Sequence, residues 1–294
     1  MFKLGIDLGG TKIKIIVLDG TNKVVYRERI PTEAAKGYEA ILERIALLYR
    51  QTADRIDQAP HTLGMGIPGT ISAKTGLVKN ANMVCLNGKP LCEDLGALIK
   101  RPLAVQNDAN CFTLAEALLG AAVGYQVVFG VIMGTGCGGG ITFNGKVHSG
   151  IQGIAGEWGH MQIDPLGPQC YCGKRGCVET YISGGGLQQL YQERFGQSLT
   201  AQEIIAGYRS GKPDCSLIFQ EFLGHFGTAL ANVIDVLDPD IVVLGGGLSN
   251  IPELYTLGRA EVDKQIFSDG LETPIVPNQL GDSAGVFGAA MIGI

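Results

Sequence analysis

The apolar positions of this chain fall into short β-like runs that alternate with longer stretches of helical periodicity. Residues 3–18 form two β-rich runs that are interrupted at Gly9 and Gly10, and a third run covers residues 24–30. Short apolar runs bounded by glycine are typical of strands. The pattern therefore predicts a hairpin meander of three strands at the start of the chain.

Helical periodicity follows the meander. Between residues 34 and 56, apolar side chains at Ile41, Leu42, Ile45 and Leu48 are separated by charged positions, which is the spacing of an amphipathic helix. Further strands are predicted at residues 62–67, 103–106, 127–133, 141–144 and 241–244, and further helices at 109–119, 184–195, 200–208, 216–237 and within 281–294. Strands that alternate with helices indicate an α/β fold.

The opening strand–turn–strand pattern occurs a second time. Residues 127–144 again contain a buried strand, a turn rich in glycine and threonine, and a second strand. Such repetition indicates an internal duplication, with a nucleotide bound between two similar halves. The boundary between the halves is predicted near Asp108.

Composition and charge restrict the possible functions. The chain has 294 residues, of which 46% are hydrophobic, enough for two modest cores. A net charge of −5 and the lack of any block of Lys and Arg argue against nucleic-acid binding. The chain has no apolar signal segment and no run of roughly 18 apolar residues, so we expect a cytoplasmic protein without membrane contact.

Three of the eight cysteines lie within eight residues of one another. They are Cys170, Cys172 and Cys177, and His160 lies ten positions upstream of the first. Thiolate sulfur and imidazole nitrogen are preferred ligands of zinc, so the spacing predicts a closed Cys3His site for Zn2+. A set of free buried thiols is the alternative. Two glycines inside the cluster favour the metal, because a loop that folds onto one ion needs unusual backbone turns.

Glycine-rich turns offer the groups that hold phosphate oxygens. The first turn has unobstructed backbone N–H groups, one hydroxyl and one ammonium. A carboxylate at its mouth, Asp7, indicates Mg2+ between the acid and the phosphates. An ordinary hairpin turn is the alternative, and it would require neither Asp7 nor Lys12. The positions predicted to bind the nucleotide are Asp7, Gly9, Gly10, Thr11, Lys12, Gly134, Thr135, Gly136, Cys137, Gly138, Gly245, Gly246 and Gly247.

The last three glycines follow a predicted strand, and we expect the adenosine side of the nucleotide there; a simple strand-to-helix turn would also explain them.

Asp108 lies between a predicted strand and a predicted helix. That position suits an N-cap, and it equally suits a general base at the carboxyl edge of a sheet. Position alone favours the cap.

Together these motifs resemble the ROK family of sugar kinases, and the resemblance covers essentially the whole chain. It rests on the segments DLGGTK (7–12), GIPG (66–69), NDAN (107–110), GTG (134–136), GEWGH (156–160), CYCGKRGCVE (170–179) and GGG (245–247). The resemblance implies an actin/hexokinase-like fold of duplicated ribonuclease H-type domains with a cleft between them. A small α/β domain would span residues 1–108 and be completed by a helix within 281–294, and a large α/β domain with the zinc site would span 109–280.

The resemblance also implies an activity. It implies that ATP phosphorylates the C6 hydroxyl of a hexose and that Asp108 is the catalytic base, which overturns the preference for a cap. The implied sugar contacts are Asn82, Asn107, Glu157, His160 and Glu179. With Zn2+ on one ring nitrogen of His160, the other nitrogen is expected to face the sugar. A homodimer is implied as well.

Within the family, residues 79–82 and 86–90 are most similar to bacterial fructokinases, so fructose is the expected acceptor. An N-acetylglucosamine kinase and a glucokinase or mannokinase are the alternatives, and the nine residues between His160 and Cys170 resemble bacterial glucokinases. A sugar-responsive repressor of the family would carry a helix-turn-helix region, and only six residues precede Asp7. A non-catalytic sugar-binding module would need neither a base nor phosphate turns.

Overall fold

Two five-stranded sheets form the centre of the protein, whose computed structural model describes residues 1–293. The strands are β1 (Phe2–Leu8), β2 (Lys12–Leu18), β3 (Val24–Pro31), β4 (His61–Ile67), β5 (Thr70–Ile71), β6 (Val78–Lys79), β7 (Ala104–Asn107), β8 (Val127–Met133), β9 (Cys137–Phe143), β10 (Lys146–Val147), β11 (Ile241–Gly245) and β12 (Ile275–Pro277). The helices are α1 (Tyr38–Arg55), α2 (Leu91–Ile99), α3 (Asp108–Leu119), α4 (Glu179–Ile182), α5 (Gly184–Phe195), α6 (Ala201–Arg209), α7 (Pro213–Leu237), α8 (Leu257–Asp263) and α9 (Ala284–Ile292).

The first sheet has the order β3-β2-β1-β4-β7. Its first three strands are the antiparallel meander that the sequence predicts, and β4 and β7 run parallel to β1. Asp7 of β1 pairs with Gly66 of β4, and Ile67 of β4 pairs with Asn107 of β7. Because parallel strands end at the same edge, Asp7 and the start of α3 lie at one edge of this sheet.

The second sheet repeats this topology. Its order is β10-β9-β8-β11-β12, with three antiparallel strands followed by two strands parallel to β8. The predicted α/β fold with two duplicated halves is therefore confirmed. In residues 1–293, no helix combines the length and the apolar character needed to cross a membrane.

Each sheet has its own apolar core. Side chains of α1 and α2 pack on the first sheet, and side chains of α4 to α8 pack on the second. Helix α9 packs against β1, β4 and α3. A β-carbon at Gly288 would lie 1.8 Å from the carbonyl oxygen of Cys111, so this helix crossing requires glycine. On this arrangement we keep the division into 1–108 and 109–280 as a proposal.

Several predicted element boundaries were wrong. Strand β9 begins at Cys137 rather than at residue 141, because Gly139 and Gly140 are strand residues on which Trp158 and Thr113 pack closely. The C-terminal helix covers only Ala284–Ile292, after a 3-10 turn at Gly281–Ser283. Residue 294 of the predicted range lies outside the described residues. Helices α2, α4 and α8 and strands β5, β6, β10 and β12 were not predicted.

Candidate functional site

Helix α3 begins at Asp108, but the residue that caps it is Asn107. The Asn107 side-chain oxygen accepts hydrogen bonds from the N–H groups of Ala109 at 2.9 Å and Asn110 at 3.2 Å. Its amide nitrogen donates to the carbonyl oxygen of Gly69 at 3.2 Å. Placing the cap at Asp108 was therefore wrong by one residue. Among residues 1–293, the Asp108 carboxylate accepts a hydrogen bond from Ala109 N–H at 2.8 Å and none from another side chain.

Asp108 and Asp7 line the same cavity of about 380 Å3, together with Gly246, Asp282 and Gly285. Burial, and after it the charges of Asp7 and Glu157, raise the pKa of Asp108 to about 7, although the Ala109 N–H bond opposes the rise. A carboxyl whose pKa lies near neutral pH exchanges protons readily with a reacting hydroxyl. The site therefore holds a carboxyl suited to accept a proton.

Asp7 has a cationic neighbour that the sequence reasoning missed. The Lys14 ammonium lies 3.4 Å from the Asp7 carboxylate, because the two residues are opposite each other on β1 and β2. Burial raises the pKa of Asp7, and Lys14 opposes that effect. The ammonium also donates to the carbonyl oxygen of Asp282 at 2.7 Å. Hairpin register is the signal that would have revealed Lys14.

The first glycine turn keeps most of its donors free. Gly9 N–H closes the turn on the Lys12 carbonyl oxygen at 3.0 Å, and Thr32 fixes it through a hydroxyl bond to the Gly9 oxygen at 2.7 Å. Within residues 1–293, the N–H groups of Gly10 and Thr11 have no protein acceptor. The turn lines a cavity of about 700 Å3 that also reaches Asp7.

The second glycine turn has the same construction. Gly134 N–H donates to the Gly136 carbonyl oxygen at 2.9 Å, and the N–H groups of Thr135 and Gly136 have no acceptor in the described part of the chain. The Cys137 N–H differs from the prediction, because it donates to the Glu179 carboxylate at 2.8 Å. Cys137 and Gly138 thus belong to β9 and not to an open turn.

The three glycines at the end of β11, Gly245, Gly246 and Gly247, have different roles. Gly245 ends the strand under the ring of Phe112, where a β-carbon would lie 2.5 Å from a ring carbon. Gly246 has a φ of +79° and lines the Asp108 cavity. Gly247 lines a separate cavity of about 670 Å3 together with Thr135. The structure therefore brings the second turn and Gly247 together, while Gly245 is a packing residue.

The predicted metal ligands converge. The ligand atoms of His160, Cys170, Cys172 and Cys177 all lie within 4.8 Å of one another. The Cys170 sulfur is 3.6 Å from His160 Nδ1, and the sulfurs of Cys172 and Cys177 are 3.6 Å apart. Bonds of about 2.3 Å to sulfur and about 2.0 Å to nitrogen place ligands of a tetrahedral ion roughly 3.5–3.8 Å apart. The donor set and its spacing therefore fit a four-coordinate metal.

Two glycines shape the metal loop, as the sequence suggested. Gly173 and Gly176 have φ values of +92° and +61°, and a β-carbon on Gly176 would lie 1.6 Å from the Asp164 carbonyl oxygen. Cys170 N–H donates to the Lys174 carbonyl oxygen at 2.8 Å, which closes the loop around the sulfur atoms. These backbone conformations disfavour other residues.

The second ring nitrogen of His160 already has a partner. Nε2 lies 3.0 Å from the hydroxyl of Tyr171, whose side chain is 72% exposed. Tyr171 lies between two of the metal ligands in sequence, and no motif drew attention to it. The nitrogen expected to face a sugar is therefore covered by an exposed side chain.

The remaining predicted sugar contacts surround this histidine to different degrees. Burial raises the pKa of Glu157, the charge of His160 opposes the rise and the charge of Glu179 adds to it, so the three side chains are near enough to interact electrostatically. Asn82 is exposed and makes no hydrogen bond among the described residues. It follows Ala81, which touches Gly69 beneath Asn107.

Comparisons with known proteins give a consistent result. A sequence model of the ROK family matches residues 3–293. An N-acetyl-D-glucosamine kinase of Pasteurella multocida is 38% identical over 301 aligned positions, which cover 99% of this chain and 98% of the relative. An N-acetyl-D-glucosamine kinase of Escherichia coli is 38% identical with 98% of each chain covered.

Solved structures agree with these sequence relatives. A ROK hexokinase from Thermus thermophilus superposes with a TM-score of 0.89 at 31% identity, covering 100% of this chain and 98% of that one. A ROK family glucokinase from Streptomyces griseus, crystallised with glucose and AMPPNP, has a TM-score of 0.82 at 27% identity, covering 100% and 99%. The actin/hexokinase-like fold that the sequence motifs imply is confirmed.

Proposed function

Because the chain belongs to the ROK family, we propose that it transfers the γ-phosphoryl group of ATP to the C6 hydroxyl of a hexose. The chain is an ATP-dependent hexose kinase. The observation that carries the finer proposal is the Asp108 carboxylate, which has a pKa raised to about 7 and shares a cavity with Asp7. Phosphoryl transfer of this kind needs positioned phosphates, charge neutralisation and a base for the acceptor hydroxyl.

In the proposed reaction, Asp108 accepts the proton of the C6 hydroxyl as that oxygen attacks the γ-phosphorus atom. The bond between this phosphorus and the bridging oxygen breaks, and ADP leaves with the electron pair. The free N–H groups of Gly10, Thr11, Thr135 and Gly136 are available to hold the phosphate oxygens. Gly247 lines the cavity proposed for adenosine.

Asp7 would hold Mg2+, which offsets the negative charge of the phosphates. Its carboxylate offers the hard oxygen ligand that Mg2+ prefers, and it faces the cavity it shares with Asp108. Lys14 contributes a second positive charge at this edge of the sheet.

The sugar is proposed to lie between Asp108 and the metal loop. Glu157 supports this position because its charge raises the pKa of Asp108 and it also interacts electrostatically with His160. Asn107, Glu179 and Asn82 complete the proposed set of hydroxyl contacts. The Cys3His cluster would hold Zn2+, which fixes the orientation of the His160 ring. The homodimer stays a prediction.

N-acetylglucosamine is the acceptor that the sequence relatives favour, because two N-acetyl-D-glucosamine kinases match almost the whole chain at 38% identity. The motif-based expectation of fructose has no comparable support. We therefore propose N-acetylglucosamine first and keep fructose as the second candidate. Glucose is a further comparison, given the similar glucokinase fold.

A coupled ADP-release assay tests this proposal. Wild-type protein is supplied with ATP and Mg2+, and with N-acetylglucosamine, fructose, glucose, mannose or N-acetylmannosamine in turn. We expect the highest kcat/KM with N-acetylglucosamine. Higher kcat/KM with fructose would reverse the choice of acceptor, and a lack of sugar-dependent ADP release would refute the kinase proposal.

A further inference from the structure

Glu179 connects the metal loop to the second glycine turn. It lies two residues after the metal ligand Cys177 and is the first residue of α4. Its Oε2 atom accepts the Cys137 N–H bond at 2.8 Å, and within the described chain Oε1 has no hydrogen-bond partner. One carboxylate oxygen is therefore engaged with the turn, and the other is left for a ligand.

The Glu179 carboxylate lies so close to the second glycine turn that it restricts residue 136 to glycine. A β-carbon on Gly136 would lie 2.6 Å from Glu179 Oε2, so only glycine fits at this position without moving the carboxylate. Gly136 is also one of the residues whose N–H group is free. The carboxylate thus packs directly beneath the donors proposed to hold phosphate.

The segment that follows Glu179 reinforces the same connection. Gly184 N–H donates to the Gly134 carbonyl oxygen at 2.7 Å, and Gly185 N–H donates to the Thr135 carbonyl oxygen at 3.2 Å. Three hydrogen bonds therefore run from residues 179–185 to residues 134–137. They fix the turn, in which the N–H groups of Thr135 and Gly136 have no acceptor among residues 1–293.

We propose that Glu179 is a positioning residue for the second glycine turn, so that a single carboxylate orders the phosphate donors with one oxygen and serves the sugar with the other. This inference rests on the proposed binding of ATP at that turn. It gives Glu179 a role in nucleotide binding that is independent of sugar, and it makes the metal loop a support for both ligands.

Two effects of the carboxylate oppose each other. As an acceptor, it fixes the Cys137 N–H and preorganises the turn, which favours phosphate binding. As a negative charge near phosphate, it disfavours the same ligand. The proposal requires the first effect to dominate, and two substitutions separate the effects. Glu179→Gln keeps an acceptor oxygen of the same reach without the charge, while Glu179→Asp keeps the charge and shortens the side chain by about 1.5 Å.

The test measures the affinity of AMP-PNP with Mg2+ by calorimetry, without sugar, so that sugar contacts cannot contribute. We expect Glu179→Asp to weaken binding about 10-fold, as loss of a bond to a charged acceptor does. Glu179→Gln should stay within about 3-fold of wild type because its acceptor remains. The matched pair Glu193→Asp and Glu193→Gln, which alters an exposed acid of α5 without a bond to the turn, should leave this affinity unchanged.

The outcomes distinguish the inference from the function on which it rests. If wild type binds AMP-PNP and Glu179→Asp binds equally well or more tightly, the positioning role is refuted and the kinase proposal stands. If wild type does not bind AMP-PNP, both are refuted. Metal content and thermal unfolding of each variant verify that the metal loop has formed. If Glu179→Asp does not fold, Gly136→Ala takes its place, because its β-carbon displaces the same carboxylate and should lower the affinity for AMP-PNP similarly.

Discussion

Replacement of Asp108 by Asn removes the proposed base and keeps the size of the side chain. Positioned proton transfer typically contributes about 10²–10⁴-fold in rate, so we expect kcat to fall by that factor. The helix cap belongs to Asn107, so the substitution leaves the two cap bonds intact. Nucleotide and sugar affinities should change little, because Asn has nearly the same size as Asp and its side-chain oxygen can still accept the Ala109 N–H bond.

The same substitution lowers kcat but should raise the stability of the folded protein relative to wild type as the pH increases. Folding raises the pKa of Asp108 from 3.8 to about 7, so the folded state favours the protonated acid. The stability that this acid contributes is fully present below about pH 4 and is lost as the pH rises through about 7. Asn cannot ionise and loses nothing. The unfolding free energy of the variant relative to wild type should therefore rise by about 2–3 kcal/mol between pH 5 and pH 8, as an upper estimate for a partly accessible group.

Urea unfolding of ligand-free wild type and variant at the two pH values measures this difference, and the coupled ADP-release assay measures kcat on the same preparations. Metal content serves as the control for an intact loop. An inactive variant whose relative stability does not change with pH would show that Asp108 is not a carboxyl with a raised pKa. Near-wild-type turnover would remove Asp108 from the mechanism altogether.

Four further predictions follow from the site. Activity, measured as kcat/KM across pH, should fall as the pH drops below about 7, because Asp108 becomes protonated; a flat profile from pH 5.5 to 8.5 would contradict this. Tyr171→Phe should lower the KM of the sugar about 2- to 10-fold at constant kcat, because it removes a partner that competes for His160 Nε2; a raised KM would instead make Tyr171 a sugar contact. Removal of the metal by a chelator should weaken the binding of both sugar and AMP-PNP. The fluorescence of the single tryptophan, Trp158, measures both affinities. Unchanged AMP-PNP affinity in verified metal-free protein would show that the metal loop does not support the second glycine turn. Asn107→Ala should lower the unfolding free energy by about 1 kcal/mol through loss of the cap, and an unchanged melting temperature would argue against it.

Features that depend on neighbours in sequence were predictable. The hairpin meander follows from apolar runs separated by Gly9 and Gly10, and the metal cluster follows from three cysteines within eight residues. Both are short-range arrangements in which the residue types themselves restrict the backbone. The second copy of the hairpin also predicted the duplicated sheets, because each strand–turn–strand unit repeats with the same kinds of residues.

Features that depend on packing between distant segments were not predictable. The bond from Cys137 N–H to Glu179 joins residues 42 positions apart, and Lys14 meets Asp282 across 268 positions. No local pattern marks either contact. The Gly138–Gly140 run illustrates the same limit, because its composition suggests a turn, while Trp158 and α3 pack on it as a strand. The cap at Asn107 was misplaced because asparagine and aspartate suit that position equally well.

The central claim is phosphoryl transfer from ATP to the C6 hydroxyl of a hexose, and the structure of the product tests it most directly. Wild-type protein is incubated with ATP, Mg2+ and N-acetylglucosamine, and the sugar product is analysed by phosphorus and proton NMR. The account predicts one phosphomonoester that couples to the two C6 protons, and about 10²–10⁴-fold slower formation of it with Asp108→Asn under the same conditions. A phosphate on the anomeric carbon, or ADP formation without any sugar phosphate, would contradict it.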